Sequence, residues 1–128
     1  MESNTHPLID QSLCGEPLTL ADGEATVVLT TTPNMAVDTH GLVHGGFVFG
    51  LADYAAMLAV NDPNVVLGAA QTRFLAPVGV GERVVAHAVR EETEGRKQTV
   101  TVAAVVGERE VFSGTFVTYV LDRHVMDR

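Results

Sequence analysis

The sequence predicts an α+β protein in which one antiparallel β-sheet lies against a buried central helix. Three patterns predict it. Residues 47–60 are rich in Ala, Leu and Met and apolar nearly all round, which makes a buried helix rather than a surface one. A β-branched segment, residues 23–32, precedes that helix. After it, strand-like segments follow one another with only short turns between them. Consecutive short-linked strands pair antiparallel. A single sheet covers one face of such a helix, so the remaining apolar surface predicts a second subunit.

Each element follows from local chemistry. Residues 1–16 read as an irregular, loosely docked lead-in to a single domain spanning 1–128. Residues 23–32 form a strand that Pro33-Asn34 ends. Residues 35–43 form a loop of mixed polarity, closed by Gly45-Gly46. The helix stops at Asn61-Asp62-Pro63-Asn64. Residues 65–75 make the next strand, broken by Ala76-Pro77. Residues 82–91 make another, with Arg83, Val85, His87 and Val89 on one face. A turn at 92–95 leads into 96–106, where Val100, Val102 and Ala104 alternate. Gly107-Glu108 connects tightly to a last strand, 109–121, and residues 122–128 read as a polar, frayed tail.

Composition narrows the function. The chain has 128 residues, enough for a real core without staples. Its formal net charge of -8 argues against nucleic acid, which needs a basic surface. The apolar stretch is too short to span a membrane, and Asp53 interrupts it. No signal peptide is expected from the polar first ten residues. The single cysteine, Cys14, excludes an internal disulfide and fits a reducing cytoplasm. Cys14 sits in a polar, Gly/Pro-punctuated segment without an obvious base, a poor setting for a nucleophile. No cofactor and no metal are expected.

The chemistry-bearing feature is Asp53, a lone carboxylate inside an apolar helix. Burying an ionised carboxylate is costly unless it is paired or well hydrogen-bonded. Gly45-Gly46 opens the helix and lets a ligand approach the backbone. The first helical N–H groups lack internal partners and carry the positive end of the dipole. They form a candidate oxyanion site, with tight packing against a strand as the alternative. Asp53 lies eight residues beyond Gly45, ~12 Å along the axis. A reacting atom should sit ~3 Å from both groups. One helix does not easily present both to one atom. Asp53 of one subunit is therefore expected to meet the helix start of another.

His44-Gly45-Gly46, six residues, then Asp53 resembles the motif of hotdog-fold acyl-CoA thioesterases of the phenylacetate-degradation (PaaI-like) group. Arg73-Phe74-Leu75-Ala76-Pro77-Val78 resembles that family's proline-ended strand, and Gly95-Arg96-Lys97 its basic turn. The resemblance runs from about Gly23 to Leu121 and implies a hotdog fold and a homodimer or dimer of dimers. It further implies that Asp53 activates water or attacks the thioester carbonyl of an acyl-CoA. Gly45 or Gly46 N–H would hold the oxyanion, and His44 would orient the loop or contact the thioester. Arg96 and Lys97 would reach coenzyme A phosphates, or form a solvated turn. Gln71 and Thr72 would assist a water, although strand alternation explains them equally.

The chain departs from the family where many relatives carry Asn six residues before the motif histidine. Asp38 stands there, and an ionised carboxylate cannot donate to an oxyanion. Asp38 and Asp53 sharing one site would push their pKa values apart. Asn34 is a substitute donor at a different spacing. The stretch Val65-Val66-Leu67-Gly68 also lacks the hydroxyl found in some relatives. Phe47, Phe49, Tyr54, Met57 and Phe74 read first as core and second as an acyl pocket. Two other functions are weighed against hydrolysis. One is an acyl-CoA sensor without turnover, like lipid-responsive repressors, although the chain leaves no room for a helix-turn-helix. The other is a hydratase or dehydratase, whose acid/base loop Asp38-Thr39-His40 matches poorly.

Overall fold

The computed structural model describes residues 1–127. Its elements are α1 (Gln11–Cys14), β1 (Glu16–Ala21), β2 (Glu24–Thr30), a 3-10 turn (Pro33–Met35), α2 (Gly45–Val60), β3 (Val65–Phe74), β4 (Arg83–Glu94), β5 (Lys97–Val106) and β6 (Arg109–Val120). The six strands form one antiparallel sheet in the order β1-β2-β4-β5-β6-β3. The sheet wraps α2, which is the hotdog arrangement.

Small residues set how closely the helix lies on the sheet. Ala52, Ala55, Ala56 and Ala59 of α2 are buried, as are Ala86 and Ala88 of β4 and Ala104 of β5. Side chains this short let a helix settle deep into the curve of the sheet. Phe112 and Phe116 of β6 fill the space that remains, and Phe49 of α2 packs on Phe116 at 5.6 Å between centroids. The inner face of β4 carries Val84, Ala86 and Ala88. Arg83, Val85, His87 and Val89 therefore occupy the outer face, as period-2 alternation requires.

Several sequence expectations need correction. The strand 65–75 does not pair with its successor: β3 joins β6, and β4 joins β2 instead. The connection between β3 and β4 is too long for a hairpin, and it bridges the loop before α2 through Leu42 and Gly79. The turn expected at 92–95 lies at Gly95-Arg96, because Gly95 takes the left-handed conformation (φ 61) that the reversal needs. Gly23 likewise belongs to the Asp22-Gly23 turn (φ 76) rather than to the strand. The sequence signals no strand at β1, an edge strand without one fully buried residue. Of the tail, residues 122–127 are turns and bends, with Asp122 paired to Arg96; Arg128 lies outside the described residues.

The lead-in is docked rather than loose. Asn61 closes α2 in the left-handed conformation, and its side chain holds the N-terminal segment. Its Oδ1 accepts from Asn4 N–H at 2.7 Å, and its Nδ2 donates to the Glu2 carbonyl at 2.9 Å. Thr5 is buried, and His6 packs on Tyr54. Asp10 then caps α1 through Ser12 N–H. Asn61→Gly keeps the backbone conformation and deletes both side-chain bonds. It is expected to cost about 1–2 kcal/mol and to expose residues 2–6 to proteolysis ahead of global unfolding. Thermal melts with timed digestion check this; unchanged digestion would mean the segment is held by burial of Thr5 alone.

Candidate functional site

Helix α2 begins at Gly45, two residues before the apolar pattern suggests. Two glycines are poor helix formers, and sequence propensity alone shortens the helix there. Phe74 crowds the first glycine, and the movable ring of exposed His44 stands over the second. A Cβ on Gly45 would lie 3.2 Å from the Phe74 ring, and one on Gly46 would lie 2.9 Å from His44 Nε2. His44 is the N-cap residue, and its side chain caps nothing. Its N–H donates to the Met35 carbonyl at 2.9 Å, and its ring stands edge-on to Phe47. The His44 backbone thus ties the helix start to the loop at Met35. Among the described residues, Gly45 and Gly46 N–H donate to no group of the chain. They lie at the positive end of a sixteen-residue helix with no acid in its first turn.

Beside Gly45 opens a cleft of about 390 Å³ lined by Leu42, Val43, Val48, Phe74 and Pro77. Phe74, Leu75 and Leu42 around it are exposed. Its lining side chains are apolar, so it suits a hydrocarbon group better than a charged one.

Asp53 is half-buried on the face of α2 that the sheet leaves open. Its Oδ1 is enclosed and, among the described residues, has no hydrogen-bond partner. Burial pushes its carboxyl from the ordinary 3.8 up to about 6. No neighbouring charge contributes to that rise. A buried unsatisfied oxygen in a native fold calls for a partner.

The remaining sequence-predicted residues scatter. Asp38 is exposed, and its Oδ1 accepts from His40 N–H at 2.9 Å and Leu42 N–H at 3.3 Å, which shapes the loop before α2. Asn34 Oδ1 accepts from the Thr32 hydroxyl. Gln71 and Arg73 pair across from Thr115 and Ser113 on the outer face of the sheet, near His87 and turned from α2. Thr72 lies on the helix side, its methyl in the space that Gly114 leaves. Arg96 sits in the β4–β5 turn, where it pairs with Asp122, and Lys97 opens β5 beside it. That turn lies at the end of the sheet where Asn64 and Leu121 meet, near the C-terminus of α2. Strand alternation and turn position decide these placements, and residue type carries no information on either. Sequence reasoning passed over Gly50, whose signal is a glycine inside a helix at a cost of about 1 kcal/mol against alanine.

Residues 40–113 match the model of the thioesterase superfamily, and this stretch includes His44, Gly45, Gly46 and Asp53. The chain belongs to that superfamily. The fold is similar to an uncharacterized protein, PH1136, from Pyrococcus horikoshii: 51% identity, TM-score 0.98, covering 99% of this chain and 98% of that one. It is also similar to an asparagine-to-aspartate variant of phenylacetic acid degradation protein PaaI from Thermus thermophilus, at 34% identity and TM-score 0.79, covering 87% and 96%. A curated relative named methylthioribose-1-phosphate isomerase, from Aquifex aeolicus, is 49% identical over 94% of this chain. The chain spans only 26% of that relative, so the isomerase name describes a much longer protein. Transcription factor FapR from Caldanaerobacter subterraneus is 27% identical over 94% of the chain, which spans 61% of it.

The thioesterase-superfamily fold thus presents a carboxylate whose ionised form burial disfavours. The stability this lends is complete below the unfolded value of 3.8 and is lost as pH rises through about 6. Asp53→Asn, which never ionises, is expected to melt above wild type near about pH 8, with the gap closing towards about pH 4. The pKa difference corresponds to at most about 3 kcal/mol. Melts of dilute protein across that range check it. No gap at about pH 8 would show that the carboxylate has already found a donor.

Proposed function

We propose that the protein is an acyl-CoA thioesterase, hydrolysing an acyl or aryl thioester at a site built by two subunits of a homodimer or dimer of dimers. The observation that carries this is the enclosed, unpartnered Asp53 Oδ1 on a helix whose own first N–H groups are unused. Those groups lie ~12 Å apart within a chain, beyond reach of one reacting atom. An antiparallel partner helix brings its Gly45-Gly46 start to Asp53. The donors then face the substrate carbonyl, and the carboxylate faces the attacking water.

In that arrangement Asp53 takes a proton from water while the water oxygen attacks the thioester carbon. Gly45 or Gly46 N–H stabilises the negative oxygen of the tetrahedral intermediate. The carbon–sulfur bond breaks, and the proton passes from Asp53 to the leaving sulfur. A carboxyl titrating near about 6 suits both halves of this exchange near neutral pH. Direct attack by Asp53 instead would form an anhydride that water then opens. Oxygen-18 in the Asp53 carboxylate after a single turnover in labelled water marks the anhydride, opened by water at the Asp53 carbonyl. The apolar cleft beside Gly45 takes the acyl group. In an antiparallel pair, the Arg96-Lys97 turn of one subunit comes to the same end as the partner's helix start, where coenzyme A phosphates would meet it. No helix among the described residues is long and apolar enough to cross a membrane. The single cysteine fits a reducing compartment, and on that ground we assign the reaction to the cytoplasm.

A non-catalytic acyl-CoA sensor is the second reading, favoured by the transcription-factor relatives. One panel decides between them. Purified protein is offered short, medium, long-chain and aryl thioesters, and product thiol is counted. Hydrolysis is expected, and Asp53→Asn should lower kcat by about 10²–10⁴-fold. Binding without product on every thioester would favour the sensor. The shared site has its own check: Asp53→Asn and Gly46→Pro are each inactive, yet mixed and refolded together they should recover about a quarter of the wild-type rate, one intact site in each mixed dimer.

A further inference from the structure

One side of the apolar cleft lies outside the strands. β3 ends at Phe74, and residues 75–82 cross to β4 along the loop that precedes α2. Val43 N–H donates to the Val78 carbonyl and Val80 N–H to the Gly41 carbonyl, each at 2.8 Å. The two segments line the cleft together, Leu42, Val43 and Gly45 from one, Phe74, Pro77 and Val78 from the other. Behind the connection stands an ion pair. Glu82 Oε1 accepts from Gly79 N–H at 2.8 Å. Arg109 Nη2 donates to the same oxygen at 2.9 Å and to the Pro77 carbonyl at 3.2 Å. Gly79 N–H first, and Arg109 after it, hold the Glu82 carboxyl below its ordinary value, which keeps it an acceptor.

We infer that Glu82 and Arg109 form a clamp that sets the shape of the acyl cleft and so determines which acyl groups it admits. This rests on the thioesterase reading above, which gives the cleft its occupant. Both are positioning residues and touch no substrate. They line a second hollow, of about 430 Å³, which shares only Leu42, Pro77 and Val78 with the cleft, so the clamp stands on the far side of that partition. As a source of stability the pair counts for little. Its side chains are 46% and 33% exposed, and ion pairs in such settings contribute weakly. Its bonds go instead to the backbone on either side of Val78, at Pro77 and Gly79. Val78 is buried and carries the bond to Val43, so the clamp fixes the joint between the two lining segments. Distance along the wall makes its effect selective. Phe74 is the wall residue beside Gly45, and Pro77 lies three residues farther on. A short acyl group held at Gly45 ends near Phe74. A long or aryl group runs on to Pro77 and feels where the clamp has set it.

The thioester panel tests this on two variants of an exposed position. Arg109→Met keeps an unbranched side chain and deletes its donors; Arg109→Lys keeps a charged donor. In Arg109→Met, kcat/KM for a long-chain or aryl thioester, taken relative to the shortest acyl group, is expected to fall at least about 10-fold through KM, the cost of a misplaced pocket contact. All of the Arg109 contacts come from one nitrogen, so the ammonium of Arg109→Lys should restore most of that ratio. A general supporting role would lower every thioester alike, and that result overturns the inference. Amide hydrogen exchange gives a readout that needs no turnover. The Val43 and Val80 amides should exchange at least about 10-fold faster in Arg109→Met, with buried Val100 of β5 unchanged. Unchanged exchange at Val43 and Val80 overturns the clamp, whether or not any thioester is hydrolysed. Faster exchange there in a protein that turns over no thioester upholds the clamp while the hydrolase reading fails, and the same selectivity then appears in Kd across the panel.

Discussion

One buried oxygen governs the logic of this molecule. Asp53 Oδ1 is enclosed and has no donor among the described residues of its own chain. A charge there is disfavoured, which is why the carboxyl titrates near about 6. Around it, α2 is bound by a sheet that curves over nearly every side except the stripe on which Asp53 sits.

That stripe exists because of what lies beneath it. Alanines on the helix and on β4 and β5 draw α2 deep into the sheet, and Phe112 and Phe116 fill the floor. The same depth brings Phe74 against Gly45, and the loop carrying Met35 against His44. The helix start is thereby held by packing and one backbone bond, with no side-chain cap consuming its N–H groups. Donors left unused at one end and an acceptor left unused in the middle are two consequences of a single packing choice. Both find partners if a second copy lies antiparallel on the open face.

Much of this was legible in the residues. The apolar run around Asp53 announces a buried helix, and β-branched segments between short turns announce the strands. His44, Gly45, Gly46 and Asp53 stand out because glycine pairs and isolated carboxylates are costly in such a setting. Other features carried weaker signals. β1 is an edge strand without a buried residue, so alternation does not reveal it. The lead-in looks loose by composition, yet Asn61 ties it to the end of α2. Asp38 and Asn34 look available for substrate but are occupied by hydrogen bonds within their own loops. Gln71 and Arg73 turn from α2 because of their parity along β3.

By itself the sequence determined the fold class, the family motif and the position of the one carboxylate inside the apolar helix. These depend on composition and short spacing, which survive without coordinates. Only the tertiary structure decided which strands are neighbours, which polar groups are already bonded and which face of α2 is open. Those depend on long-range pairing, where β3 passes over β4 to join β6, and on burial, which no local pattern records. Gly50 shows the division most clearly. In the sequence it is a weak point in a helix; in the fold it is open space on the same face as an oxygen without a partner.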